Sequence, residues 1–175
     1  YAFFPLYPFL TKILSVLLFG NIIFAGLLIS NFEFLIFLII FYTVIKKEFS
    51  QNIALTTVVT FLMFPTAFFA VSMYSESLFL LTVSSFFYFL RQKRYLEASI
   101  FVGLASLTRL VGATLIISLL YSYFSHLKFN FRKIDSNILL LAPAFFGFLI
   151  FALSTSVKPS ISSNTPSISR SYNFP

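Results

Sequence analysis

Three charged residues stand inside otherwise apolar stretches, and they are the ones with chemistry to offer. Glu76 lies in MYSESLF (73–79), Arg109 in SLTRLVG (106–112) and Glu33 in SNFEF (30–34). A carboxylate beside a long apolar run is costly to desolvate, which marks Glu76 as a functional candidate. Its structural alternative is a place at the start of a helix near Ser75, where negative charge favours the N-terminal dipole. Arg109 carries a permanently charged planar fork of donors, a shape suited to phosphate. It is the only lysine or arginine between Arg94 and Lys128. Its alternatives are an ion pair with Glu76 or a snorkelling side chain. Glu33 is not read as catalytic; it is expected to hydrogen-bond Asn31 or a neighbouring helix, or to mark a helix boundary. Asp135 beside Arg132 and Lys133 reads as a solvated loop charge.

Other chemistries are excluded by composition. There is no cysteine, so no disulfide, thiolate metal site or cysteine nucleophile is available. The single histidine, His126, cannot build a His-rich metal site. No glycine-rich phosphate loop, Ser–His–acid set or closely spaced carboxylate pair is present.

The elements that must position Glu76 and Arg109 are apolar. The 175-residue chain is 59% hydrophobic and 10% charged, with a mean hydropathy of +0.96. Soluble domains carry roughly 25% charged residues. The composition therefore predicts an all-α, polytopic transmembrane bundle of five to seven membrane helices, some short or re-entrant. The net charge of +7 sits in short clusters between apolar runs: KKE (46–48), RQKR (91–94) and KFNFRK (128–133). That is the pattern of cytoplasmic membrane loops and argues against nucleic acid as a partner. Candidate membrane helices cover 21–45, 52–72, 76–90, 95–108, 110–124 and 137–154. Pro65 is expected to kink the second of these.

Placing all three basic clusters on one side fixes the parity. The chain goes out and back between Glu48 and Arg91, with its outer tip near 64–77. Between Arg94 and Lys128 it goes out and back as two short or re-entrant arms meeting at Arg109; one long tilted helix over 95–125 is the alternative. Residues 5–19 read as an outer-face interfacial helix with Lys12 snorkelling to water, or as part of another crossing. The membrane domain is thus 1–154, with 1–20 interfacial, and 155–175 is a Ser/Pro/Asn-rich flexible outer-side tail. The start at Tyr1 fits neither a signal peptide nor an initiator methionine and reads as a fragment or a processed chain.

Five motifs in order then resemble one family: FFPLYP (3–8), AGLLISN (25–31), FPTAFF (64–69), YSESLFLL (74–81) and LASLTRLVG (104–112). Together they are similar to the class V GPI-mannosyltransferases and their prokaryotic relatives, integral membrane glycosyltransferases of the GT-C type. The resemblance covers most of residues 3–153. It implies transfer of a sugar, typically mannose, from a polyprenyl- or dolichyl-phosphate donor to a glycolipid or glycan acceptor on the non-cytoplasmic face. The donor is a substrate, and no cofactor or metal is implied. Phe4, Pro5, Tyr7 and Pro8 match the family's outer-face segment; Tyr74, Glu76 and Ser77 match its Y-S/T-E-S segment; Thr108, Arg109 and Gly112 match T-R-x-V-G. Arg109 is then the expected ligand of the lipid phosphate, with Glu76, Tyr74, Thr108 and Tyr7 in the substrate site. The catalytic aspartate of the family is expected upstream of Tyr1, so no catalytic residue is assigned within the chain. VKPS (157–160) stands where the family carries G-D-P, while RSYNFP (170–175) loosely matches its following segment. On this reading the chain is the central part of a longer enzyme and inactive alone. The competing class is a transporter or flippase fragment, or a non-catalytic membrane assembly subunit.

Overall fold

The computed structural model describes residues 6–65, 67–72, 74–126 and 141–156. Among these the fold is all-α, without strands. The helices are α1 (Leu6–Leu17), α2 (Ile22–Glu48), α3 (Gln51–Met63), α4 (Ala67–Val71), α5 (Glu76–Arg91), α6 (Tyr95–Thr108), α7 (Leu115–His126) and α8 (Ala142–Ser156), with a 3-10 turn over Leu110–Thr114. The sequence-based helix ranges therefore hold closely, with two differences.

First, α2 runs through Lys46, Lys47 and Glu48, which the hydropathy boundary excluded. Cations in a last turn face the negative end of the helix dipole, so the basic break is its natural final turn. At the other end Asn21 accepts a hydrogen bond from the Phe24 amide at 3.1 Å and caps the helix. Second, the run 52–72 is not one kinked helix. It breaks at Phe64–Pro65 into α3 and a five-residue α4, because proline disfavours helical geometry at the residue before it. The reading of 95–126 as two arms meeting at Arg109, and not the one long helix, agrees with the structure. Arg109 is extended (φ −155°, ψ 146°) and ends α6. The ring of Tyr123 packs edge-on to that of Tyr95 at 5.4 Å, so α7 returns along α6.

The contacts set the directions of the other helices. Ser30 reaches the Tyr74 carbonyl, Glu33 meets Ser77, and Glu48 pairs with Arg91 at 2.6 Å. These contacts climb α2 and α5 together, so the two helices are parallel, and KKE and RQKR share one end of the molecule. The ammonium of Lys47 lies 4.3 Å from the ring centre of Tyr88 at the same end. Likewise Ser99 accepts from the Ala144 amide at 3.0 Å while Gly103 faces Gly147, which makes α6 and α8 parallel. Glycine is required at that crossing. A Cβ on Gly147 would sit 2.4 Å from the Gly103 Cα, and one on Gly103 would sit 2.6 Å from the Pro143 carbonyl oxygen. The third cluster, 128–133, and Asp135 lie outside the described residues, as do Phe4, Pro5 and most of the 155–175 tail.

What the bundle buries is unusual for a water-soluble chain. Helix α1 turns Thr11 and Ser15 inward and leaves Phe9, Ile13, Val16 and Leu17 exposed. Ser30, Ser77, Ser85, Ser99, Ser106 and Thr108 are almost fully buried. The outward surfaces of α2, α3 and α8 carry Phe24, Phe32, Leu35, Val59, Phe145, Phe146 and Leu149. Many inward hydroxyls bond a carbonyl one turn back, as Ser106 does to Val102 and Ser84 to Leu80, and so satisfy themselves without water. Two aromatic-rich clusters complete the packing. One joins Phe86, Val102, Leu119 and Tyr123; the other stacks Phe34, Phe37, Phe41 and Phe61. Among the described residues α2 alone is long and apolar enough by itself to cross a membrane.

Candidate functional site

Glu76 and Arg109 come together. Glu76 opens α5 and Arg109 closes α6, and the guanidinium donates to Glu76 Oε1. This is the ion pair that stood as one of the alternatives for Arg109. Ser75 offers no side-chain cap to α5, so the carboxylate sits in the favourable first turn but spends its hydrogen bond on Arg109. Its second oxygen, Oε2, is buried with no hydrogen-bond partner among the described residues. The pair is one-sided: half of the carboxylate is satisfied and half is not.

Local backbone holds Arg109 in place. Its amide donates to the Ala105 carbonyl at 3.0 Å, ending α6, and its own carbonyl accepts from the Gly112 amide at 2.9 Å. The turn folds back so tightly that a Cβ on Gly112 would lie 2.3 Å from the Ala105 carbonyl. Glycine at 112 is thus what allows Arg109 to swing off the end of α6 toward α5.

The pair lines a cavity of about 330 Å³ walled by Phe61, Phe64, Phe69 and Phe79 from α3, its C-terminal end, α4 and α5. The Arg109 guanidinium lies 5.8 Å from the Phe79 ring centre, within cation–π reach. Pro65 therefore shapes the site indirectly, since the break it causes sets the α4 side of the cavity. The arrangement offers a cation and aromatic walls, which suits an anion attached to an apolar or ring-bearing group.

The other expected site residues are placed differently. Tyr74 is half exposed beside the cavity, its ring edge-on to Phe69 at 6.1 Å. Tyr7 donates to the Gly26 carbonyl at 3.2 Å and lies 2.9 Å from Ser30 Oγ, so its hydroxyl fastens α1 to α2. Thr108 is fully buried and donates to the Ala105 carbonyl at 2.7 Å. Neither hydroxyl lines the Glu76–Arg109 cavity.

Glu33 takes the neighbouring-helix alternative. It is 7% exposed and accepts from Ser77 Oγ at 3.1 Å, while Asn31 Nδ2 donates to the Leu27 carbonyl at 2.7 Å. Ser77 follows Glu76 directly, so Glu33 anchors the first turn that carries the site carboxylate. A hydrogen bond to a neighbouring helix was legible in the sequence, because a buried carboxylate requires a donor; that the donor is Ser77 was not. Among the described residues no group of three or more His, Cys, Asp or Glu side chains is placed to hold a metal.

No family model matches the chain, and no curated protein or solved structure matches it. The five-motif resemblance rests on the quoted residues alone.

Proposed function

We propose that this chain is a multi-pass integral membrane protein whose Glu76–Arg109 site serves a glycosyltransferase acting on a polyprenyl-phosphate sugar. The membrane reading is supported by the inverted burial: hydroxyls, alanines and glycines at helix contacts, and phenylalanines, leucines and isoleucines outside. Helices in lipid gain nothing by hiding leucine and associate through small residues and interhelical hydrogen bonds. KKE and RQKR at one end, opposite the site, agree with a cytoplasmic end there and a non-cytoplasmic site.

The observation that carries the transferase reading is the half-satisfied ion pair in an aromatic cavity. In the proposed reaction an acceptor hydroxyl oxygen attacks the anomeric carbon, its proton passes to a base, and the bond from that carbon to the phosphate oxygen breaks. Arg109 stabilises the negative charge that develops on the departing lipid phosphate, the kind of interaction that strengthens in the transition state. Glu76 holds the guanidinium at the cavity wall through Oε1 and so positions Arg109 toward the substrate. The general base is not assigned to a residue of this chain. Membrane lipids, the lipid-linked sugar and a glycolipid or glycan acceptor are the proposed partners.

The test is transfer of radiolabel from a polyprenyl-phosphate sugar by membranes carrying the full-length protein. Wild type is expected to label the acceptor. Arg109→Ala is expected to lower transfer about 100-fold or more at unchanged protein level, in line with loss of one transition-state charge contact. Equal transfer by wild type and Arg109→Ala would remove the phosphate role. Translocation of the labelled lipid without transfer would assign the protein to the transporter class.

A further inference from the structure

The two helices that carry the site are too short to reach a membrane boundary. Helix α5 has 16 residues and α6 has 14, so they extend about 24 Å and 21 Å. Both start or end at the KKE–RQKR end. If that end marks one boundary of a hydrocarbon layer about 30 Å thick, the site stops roughly 6–9 Å short of the other. Helix α2 provides an independent ruler. Its 27 residues extend about 40 Å, and Glu33, which touches Ser77, lies near the middle of that length.

Irregular backbone gathers at the same level. The chain breaks after Met63, between Val71 and Glu76, and at Arg109. The first turn of α5 and the 3-10 turn have no side-chain cap, so no side chain at their N-cap positions accepts from their leading amides. Lipid-exposed irregular backbone does not occur in hydrocarbon; it persists at that depth only where it lines water or is buried in protein. Phe64 and Leu110 in these breaks are exposed.

From these two observations we infer that the site end of α5 and α6 forms a water-filled notch, open to the non-cytoplasmic phase and sunk below the boundary that α2 spans. The notch carries solvent down to Glu76 and Arg109, lets a charged pair exist at that depth, and admits a polar headgroup below the membrane plane. The inference rests on the membrane reading above and is independent of the transfer reaction.

The absence of cysteine makes the test direct. Single substitutions Phe64→Cys and Leu110→Cys sample the notch. Phe32→Cys samples the same height on the exposed face of α2, beside Glu33. Lys93→Cys samples the basic end. Each is probed with a membrane-impermeant maleimide in sealed, correctly oriented vesicles, after a check that the variant is monodisperse in detergent. Positions 64 and 110 are expected to label from outside, position 32 to stay unlabelled, and position 93 to label only after permeabilisation. Protection at 64 and 110 together with 32 would overturn the notch and leave the membrane reading standing. Labelling of 32 along with 64 and 110 would also overturn it, because the level would then be an ordinary interface. Labelling of all four without permeabilisation would overturn the membrane reading itself.

Discussion

At the residue scale, the site is a balance between one arginine and two carboxylates with different tasks. Arg109 neutralises Glu76, and Glu33 holds the next residue along through Ser77. The Glu76–Arg109 pair is partly exposed, at 29% and 39% of the two side chains, so its contribution to stability is screened and modest. A double-mutant cycle of Glu76→Gln and Arg109→Gln, read by thermal unfolding in detergent, is expected to give a coupling of about 1 kcal/mol. Among the described residues Ser77 is the one hydrogen-bond donor to the Glu33 carboxylate, which is 7% exposed, and Ser77→Ala removes it. That substitution is expected to cost about 1–3 kcal/mol, and Ser77→Thr, which keeps the hydroxyl, to cost clearly less. A smaller loss in Ser77→Ala than in Ser77→Thr would show that the hydrogen bond is not what matters there. Glu76 and Arg109 could be singled out in the sequence because a charge among apolar residues needs a reason. Tyr7 and Thr108 came from the resemblance, and their hydroxyls are engaged with Ser30 and with the Gly26 and Ala105 carbonyls. Nothing in a sequence tells which acceptor a hydroxyl will find.

At the element scale, close approach depends on glycine and hydroxyl faces more than on large side chains. Gly103 and Gly147 bring the α6 and α8 backbones together, and the Ser99 hydroxyl then reaches an α8 amide. Gly147→Ala is expected to destabilise the protein by about 1–3 kcal/mol, since the added methyl meets backbone that cannot rotate away. Gly20→Ala supplies the contrast: it meets nothing within 4 Å but must hold a φ of +84°. Its expected cost of about 1 kcal/mol comes from conformation alone. If detergent melts placed Gly147→Ala at or above wild type, the packing account of the crossing would fail. The helices themselves were readable because each is an apolar run closed by a basic cluster, an N-cap or a proline. The split at Pro65 was read only as a kink, because proline announces a disruption without saying whether the helix resumes.

At the scale of the whole molecule, polar contacts run inward and apolar surface faces out. The protein is expected to remain in the membrane pellet after an alkaline carbonate wash and to enter solution only with detergent; release by carbonate would contradict the proposed embedding. Glu48–Arg91 joins the basic ends of α2 and α5 on the surface, with side chains 36% and 61% exposed. Arg91→Ala is accordingly expected to shift stability by less than about 1 kcal/mol, against the larger losses at Ser77 and Gly147.

The sequence by itself determined the all-helical class, the positions of most helices and the two charges worth testing. These follow from local quantities: the length of an apolar run, the residue that closes it and the cost of an isolated charge. Tertiary structure alone decided that α2 runs parallel to α5 and α6 to α8, and that Glu76 meets Arg109 across 33 residues of chain. It also decided that the pair lies level with the middle of α2. Hydropathy records how much each segment prefers an apolar surrounding. It does not record which hydroxyl, glycine or carboxylate on one helix will meet its counterpart on another, and those contacts set the depth and shape of the site.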